Sequence, residues 1–240
     1  MKLVQFCLLL LPAFVLAQQP LANDPNAENR PLAGSFRAIQ LSNSFDCYLT
    51  QGSKESVVVS AATPEIRDHI RVEQENGILK IRFDEPEKFW KYLNSKKLKV
   101  YINYKDIDQL TASGVCDVYI NGKLQADDLT LHFSGASELQ GAIQAKQLTV
   151  YLSGASNMDE LSGKADEVSI EASGASRFNA FNLVAQNVAA KASGASDIRI
   201  TANRELNVRA TGASKIQYKG DGKITDIKTS GAGTVNRREN

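Results

Sequence analysis

The residues that could do chemistry are few and scattered along the 240-residue chain. Two histidines are present, His69 and His132. Neither lies in His-Glu-x-x-His or any other metal-ligand spacing, so no metal and no cofactor is expected. Carboxylates pair at Asp106 and Asp108, Asp127-Asp128, Asp159-Glu160 and Asp166-Glu167. Glycoside hydrolysis needs two such groups about 5–9.5 Å apart across a cleft. These pairs sit beside turns with no common offset, which reads as solvated loop charge. No phosphate loop, dinucleotide fingerprint, Gly-x-Ser-x-Gly elbow or triad order is found, so no catalytic residue is assigned. Charges nearly cancel, with 28 Lys and Arg against 27 Asp and Glu. That leaves no basic excess to neutralise phosphates, and a nucleic-acid partner is not expected.

What would position any such residues is a repeat. Ser-Gly-Ala-Ser stands at 134–137, 153–156, 173–176 and 193–196, with Thr-Gly-Ala-Ser at 211–214. Looser copies run 113–116 and 230–233. The glycines Gly114, Gly135, Gly154, Gly174, Gly194, Gly212 and Gly231 step by 21, 19, 20, 20, 18 and 19 residues. A fixed period of this size marks a stacked-repeat architecture. Aligned on each Gly, apolar residues fill the even positions. Four before stand Leu110, Leu131, Val150, Ile170, Ala190, Val208 and Ile227; four after stand Val118, Leu139, Met158, Phe178, Ile198, Ile216 and Val235. A period of two is that of a strand with one face turned inward.

One such repeat cannot bury its own face, but coil stacked on coil can. The fold expected is therefore all-β: a parallel β-helix solenoid of about 20 residues per coil, right-handed by the usual hand of parallel crossovers. In each corner, Gly supplies a positive φ or a close backbone approach. Ala is expected to point inward at a narrow place. The Ser hydroxyls are expected to bond turn backbone groups and the equivalent Ser above and below. Three residues after Gly, Arg177, Asp197 and Lys215 alternate in sign, so stacked neighbours would attract. The seven glycines are read as structural turns. A calcium ladder is not expected, because these turns carry no carboxylate.

The rest of the chain divides around this block. Residues 1–17 read as a signal peptide: Lys2, an apolar run Leu3–Leu16, and small residues before Gln18. No other stretch reaches the length of a membrane span. Residues 18–33, with Pro20, Pro25 and Pro31, read as a disordered linker. The β-helix domain is expected over 34–235, with irregular first coils over 34–106 and regular repeats over 107–235. Residues 236–240 read as a polar tail. Within 34–106, strands are expected near 36–41, 45–51, 56–61, 70–73, 78–83 and 98–104. A helical turn is expected near Pro64, and a tight turn at Asn76-Gly77. Asp84–Lys97 interrupts the strands with Phe89, Trp90 and Tyr92 among charges. It reads as a plug over an open core edge, or as an aromatic ligand patch. Export leaves Cys47 and Cys116. A disulfide is possible in an oxidising compartment, but two buried unpaired thiols are favoured.

The entry Phe36–Leu41, the strand Phe45-Asp46-Cys47-Tyr48-Leu49-Thr50-Gln51-Gly52, Val57–Ser60, Gly77–Ile81 and the Ser-Gly-Ala-Ser series together resemble the head-GIN domain family (DUF2807) of auto-transporter adhesins. That family is common in exported proteins of Bacteroidetes. The resemblance spans about residues 34 to 220. It implies a β-helical fold and a location in the periplasm, on the outer-membrane surface or outside the cell. It brings no catalytic residues. The few residues after the last repeat lack alternating strands for a membrane barrel, so the chain is at most passenger-like. The function expected is an exported, non-catalytic, adhesin-like binding module of the cell envelope, with a glycan or envelope protein as partner. A polysaccharide lyase or glycoside hydrolase, and a structural envelope protein, are the alternatives.

Overall fold

A computed structural model of the chain describes residues 24–84 and 98–239. The signal-peptide reading of residues 1–17 and the aromatic candidates Phe89, Trp90 and Tyr92 lie outside the described residues.

The chain is nearly all β and winds into a solenoid of about 6 turns with roughly 20 residues per turn. The order begins β1 (Glu28–Arg30), β2 (Ala38–Leu41), β3 (Ser44–Gln51), β4 (Ser56–Ser60), α1 (Pro64–Arg67), β5 (Ile70–Glu75), β6 (Ile78–Phe83), β7 (Lys99–Tyr104) and β8 (Gln109–Ala112). The regular coils follow: β9 (Val115–Phe133), β10 (Glu138–Leu152), β11 (Asn157–Met158), β12 (Ser162–Ala172), β13 (Arg177–Ala192) and β14 (Asp197–Ala210). The stack ends with β15 (Lys215–Lys219), β16 (Lys223–Thr229) and, one coil beyond β15, β17 (Thr234–Arg237).

Each regular strand pairs in parallel with its counterpart one coil away. Leu139 stands beside Val118, and Val150 beside Leu131 and Ile170. The even-position residues are buried along the whole stack, from Leu110 and Val118 to Val208 and Ile216. Fully burying one such side chain contributes about 1.5–3 kcal/mol. Ile227 departs from this rule and stays exposed, because β16 pairs on one side with β14.

The earlier part mixes directions. β2 and β3 join the stack in parallel, β2 beside β8 and β3 beside β9. β7 and β6 continue the two sheets outward from β3 and β2. β4 then pairs antiparallel with β7, and β5 with β6. The β5–β6 turn has Asn76 and Gly77 both at positive φ, 51° and 75°. That is the requirement of a two-residue hairpin with the right twist. Thr63 caps α1 by accepting from the Ile66 amide.

Two boundaries differ from expectation. Within the expected linker, Glu28–Arg30 is a strand, paired antiparallel with Val57–Val59. The Val-rich β4 offers an edge, and pairing there satisfies backbone groups that composition alone does not reveal. At the other end, β17 runs through Asn236 and Arg237, so the polar tail begins later than residue 236.

Candidate functional site

The corner is built from backbone contacts. The seven glycines hold φ between 68° and 92°. In every corner below the last, at Gly231, the Gly carbonyl points to the coil above. Gly154 O accepts from the Ala175 amide at 2.8 Å, and Gly174 O from the Ala195 amide at 2.8 Å. A Cβ on Gly174 would lie 2.4 Å from Gly154 O. A side chain is therefore excluded by the corner beneath, over and above the φ.

The inward residue of the corner is the second serine, not the alanine. Ser137, Ser156, Ser176, Ser196 and Ser214 are fully buried, while Ala136, Ala155, Ala175 and Ala195 are exposed. The reason is parity: Ser stands two after Gly, an even position, and Ala stands one after. The hydroxyls of these second serines do not run from serine to serine; a bond of that kind across coils is made at the first corner, where Ser113 Oγ donates to Ser42 Oγ at 3.4 Å. Ser196 Oγ donates to Ser193 O at 2.7 Å, and Ser214 Oγ to Thr211 O at 2.8 Å, each closing its own turn. Ser156 Oγ is buried with no hydrogen-bond partner. The alternating outer charges do not pair with one another. Asp197 binds Arg199 within its own coil at 3.0 Å, and Arg177 faces Asp159 of the adjoining coil at 3.8 Å.

Stacking brings together acids that are scattered in sequence. A trough of about 900 Å³ is lined by Asp106, Asp108, Asp127, Asp128 and Asp166 together with Arg37, Lys146 and Lys164. Five aspartates against three cations leave an acidic lining. The trough follows a second corner of the coil, where Ala126, Ala145 and Ala165 are mutual register partners. On one side of this alanine row stand Gln125, Gln144 and Lys164, likewise in register. On the other side stand Asp127, Lys146 and Asp166. Lys146 Nζ lies 3.0 Å from Asp127. That hydrogen bond raises its pKa, with the charge of Asp127 next and smaller contributions from Asp128 and Asp166. Arg37 Nε donates to Asp108 at 2.8 Å, which raises the guanidinium pKa.

Gln51 closes one end of the trough. Its Oε1 accepts from the Gln125 amide at 2.8 Å, and its Nε2 donates to Gln125 O at 3.0 Å and Lys105 O at 2.9 Å. The side-chain amide thus replaces a missing strand partner. At the other end the polar row stops where Val184 is the register partner of Lys164.

The sequence reading treats the acid pairs as unrelated loop charge. The structure gathers Asp106, Asp108, Asp127, Asp128 and Asp166 and leaves Asp159-Glu160 elsewhere. A fixed offset from Gly fails to find them because the coils differ in length between the two corners. Aligning instead on Gln-Ala-Asp, Gln-Ala-Lys and Lys-Ala-Asp at 125–127, 144–146 and 164–166 would have found them. Among the described residues no group of three or more His, Cys, Asp or Glu could hold a metal ion.

Three further features are outside the trough. Tyr48 stacks between Tyr101 and Tyr119, with centroids 5.0 and 5.3 Å apart. The ring faces cover one another, so the ladder stiffens β7, β3 and β9 rather than offering a stacking platform. His132 stacks on Tyr151 at 4.6 Å, and Lys191 binds Glu171 at 2.7 Å in the same outward row. Cys47 and Cys116 are buried free thiols on adjoining β3 and β9. Cys47 lies opposite Val118, and Cys116 opposite Phe45, two residues out of step. Burial drives both thiol pKa values up, that of Cys116 to about 11.

The profile of a family described as "Putative auto-transporter adhesin, head GIN domain" matches residues 35–222. The chain belongs to this family. Among solved structures, one described as a putative adhesin from Bacteroides fragilis is 25% identical, with a TM-score of 0.78 over 89% of this chain and 98% of that one. Another, described as a putative lipid binding protein from Parabacteroides distasonis, is 20% identical with a TM-score of 0.66, covering 90% and 98%. A third, described as a putative adhesin from Parabacteroides merdae, is 17% identical with a TM-score of 0.63, again covering 90% and 98%. The last two likenesses concern the fold. No curated protein matches the chain in sequence. The family and two of these three structures carry adhesin descriptions. No helix among its described residues is long and apolar enough to cross a membrane.

Proposed function

We propose that this head-GIN protein is an exported binding module of the cell envelope and that the trough is its glycan-binding site. The observation that carries the reading is the gathering of five aspartates, the amides of Gln125 and Gln144, and three cations around one open concavity. Carboxylates and amides offer paired acceptors and donors to vicinal sugar hydroxyls. The rigid stack holds all of these but Arg37, Asp106 and Asp108 on strands, which limits the ordering cost of binding. Export and the envelope location rest on the apolar leader, on the family description and on the adhesin-like relatives.

The enzymatic alternatives are weaker on chemical grounds. A polyuronate lyase must attract a polyanion, and this lining carries more acids than bases. A glycosidase needs one carboxyl group kept protonated. Here Asp108 and Asp127 already accept from Arg37 at 2.8 Å and Lys146 at 3.0 Å, so neither stands free to face a leaving group.

The test uses the full mature chain on an array of neutral, amino and acidic glycans, beside the double variant Asp128→Asn/Lys164→Ala. Both substituted positions are exposed. The expected result is retention of a glycan set by the parent chain and its loss in the variant at unchanged melting temperature. An empty array, or equal binding by parent and variant, would overturn the assignment.

A further inference from the structure

We infer that the trough takes a linear, extended polysaccharide, neutral or amino-bearing, lying along the stacking axis with one sugar per coil. This rests on the glycan reading of the trough. The site is not a single set of groups but a translational repeat. Gln125, Gln144 and Lys164 form one row in register, and Asp127, Lys146 and Asp166 form a second. Between them the chain passes through Ala126, Ala145 and Ala165, with Ala145 and Ala165 turned into the core. The corner therefore presents backbone rather than bulk between the two polar rows. Successive coils each set one polar pair here, Gln with Asp, Gln with Lys and Lys with Asp, at the strand spacing of about 4.8 Å.

A ligand that meets every rung in the same way must share this repeat. An extended β-linked sugar chain advances by nearly the same distance per residue, whereas a coiled α-linked glucan advances much less. A compact or branched glycan could meet one rung only. The site is also bounded. Gln51 seals one end by occupying the backbone groups of Gln125 and Lys105. Val184 ends the polar row at the other. Three rungs remain between these limits. The acidic excess selects against uronate and sulfate chains and in favour of neutral or amino sugars.

The experiment is calorimetric titration of the full chain with cello- and chito-oligosaccharides of one to six units, beside malto-oligosaccharides and oligogalacturonates of the same lengths. Affinity is expected to rise with each unit up to about three, matching three rungs at the strand spacing, and then to level. Chains of α-linked glucose and of galacturonate are expected to bind at least about tenfold more weakly at equal length. Lys164→Val extends the Val184 boundary by one rung and is expected to shorten the plateau by about one unit without changing the melting temperature. A merely structural Lys164 would leave the length profile alone. Glycan binding without length dependence, or with preference for coiled or acidic chains, overturns the axial assignment and leaves the trough a glycan site. No binding of any sugar by the parent chain overturns both.

Discussion

The same corner is turned by different residues in the two parts of the solenoid. In the regular stack every corner is Gly, with another corner beneath it. In the first coil the corner is Asn43, at a φ of 79°. Its carbonyl accepts from the Val115 amide at 2.6 Å, and the missing Cβ of Gly114 would fall 2.2 Å from that oxygen. Asn43 thus plays the part of the corner beneath Gly114. Its own side chain is accommodated, and Oδ1 accepts from the Phe83 amide at 3.1 Å, closing the end of β6. Positive φ is common to both parts and asparagine tolerates it. What compels glycine in the stack is the carbonyl of the coil below. Regularity costs side-chain freedom at the corner; the first coil keeps a side chain there and uses it.

This contrast can be broken most directly at Gly174→Asn. Asparagine accepts the φ of 72°, but its Cβ would meet Gly154 O at 2.4 Å. A loss of about 3–5 kcal/mol is expected in urea unfolding, as for severe overpacking. A loss below about 1 kcal/mol would mean that φ alone selects glycine, and the comparison would fail.

The junction between the two parts, where β3 meets β9, is expected to weaken in alkali. The Cys116 thiol has an ordinary pKa of 9.0 and is pushed to about 11 by burial. Its folded pKa is raised, so its contribution is intact below pH 9 and is lost as pH climbs toward 11. The loss is on the order of 2 kcal/mol by pH 11, read as a fall in urea midpoint. Cys116→Ser should flatten that decline. A thiol reagent at neutral pH should label neither cysteine until the chain unfolds.

Within the stack, Ser196→Ala is expected to cost about 1–2 kcal/mol, because Ser196 Oγ serves the Ser193 carbonyl and amide. Ser156→Ala removes a hydroxyl that has no partner and should change stability by less than about 0.5 kcal/mol. Equal costs at both sites would show that the buried serines act by packing alone. Asn43→Gly keeps the φ and loses the bond to Phe83, for about 1 kcal/mol.

Much of the fold was legible because the stack repeats itself. Parity about each Gly identifies the inward face of β9 to β15, and places Ser137 and Ser196 inside once the alanine is not given the inward place. The first part was less legible. β1 and β4 derive their positions from edges that other strands leave open, and an edge has no signature in the strand that fills it. Asn43 was missed because it shares no letter with Ser-Gly-Ala-Ser, although Ser42-Asn43-Ser44 has the same polar-turn character. The trough was legible only in pieces. Each acid was visible, but which acids share a wall depends on registers that shift between Gln140 and Ala142 and between Ala180 and Val184.

The amino-acid sequence by itself determined the period, the strand faces and the corners, because these arise from local alternation and from the one residue lacking a Cβ. Only the tertiary structure decided which corner residue turns inward, what closes the sheet at Gln51, and which charges meet across coils. Those depend on the register of chains about twenty residues apart, where one coil longer or shorter by a residue or two moves a side chain from one row to the next.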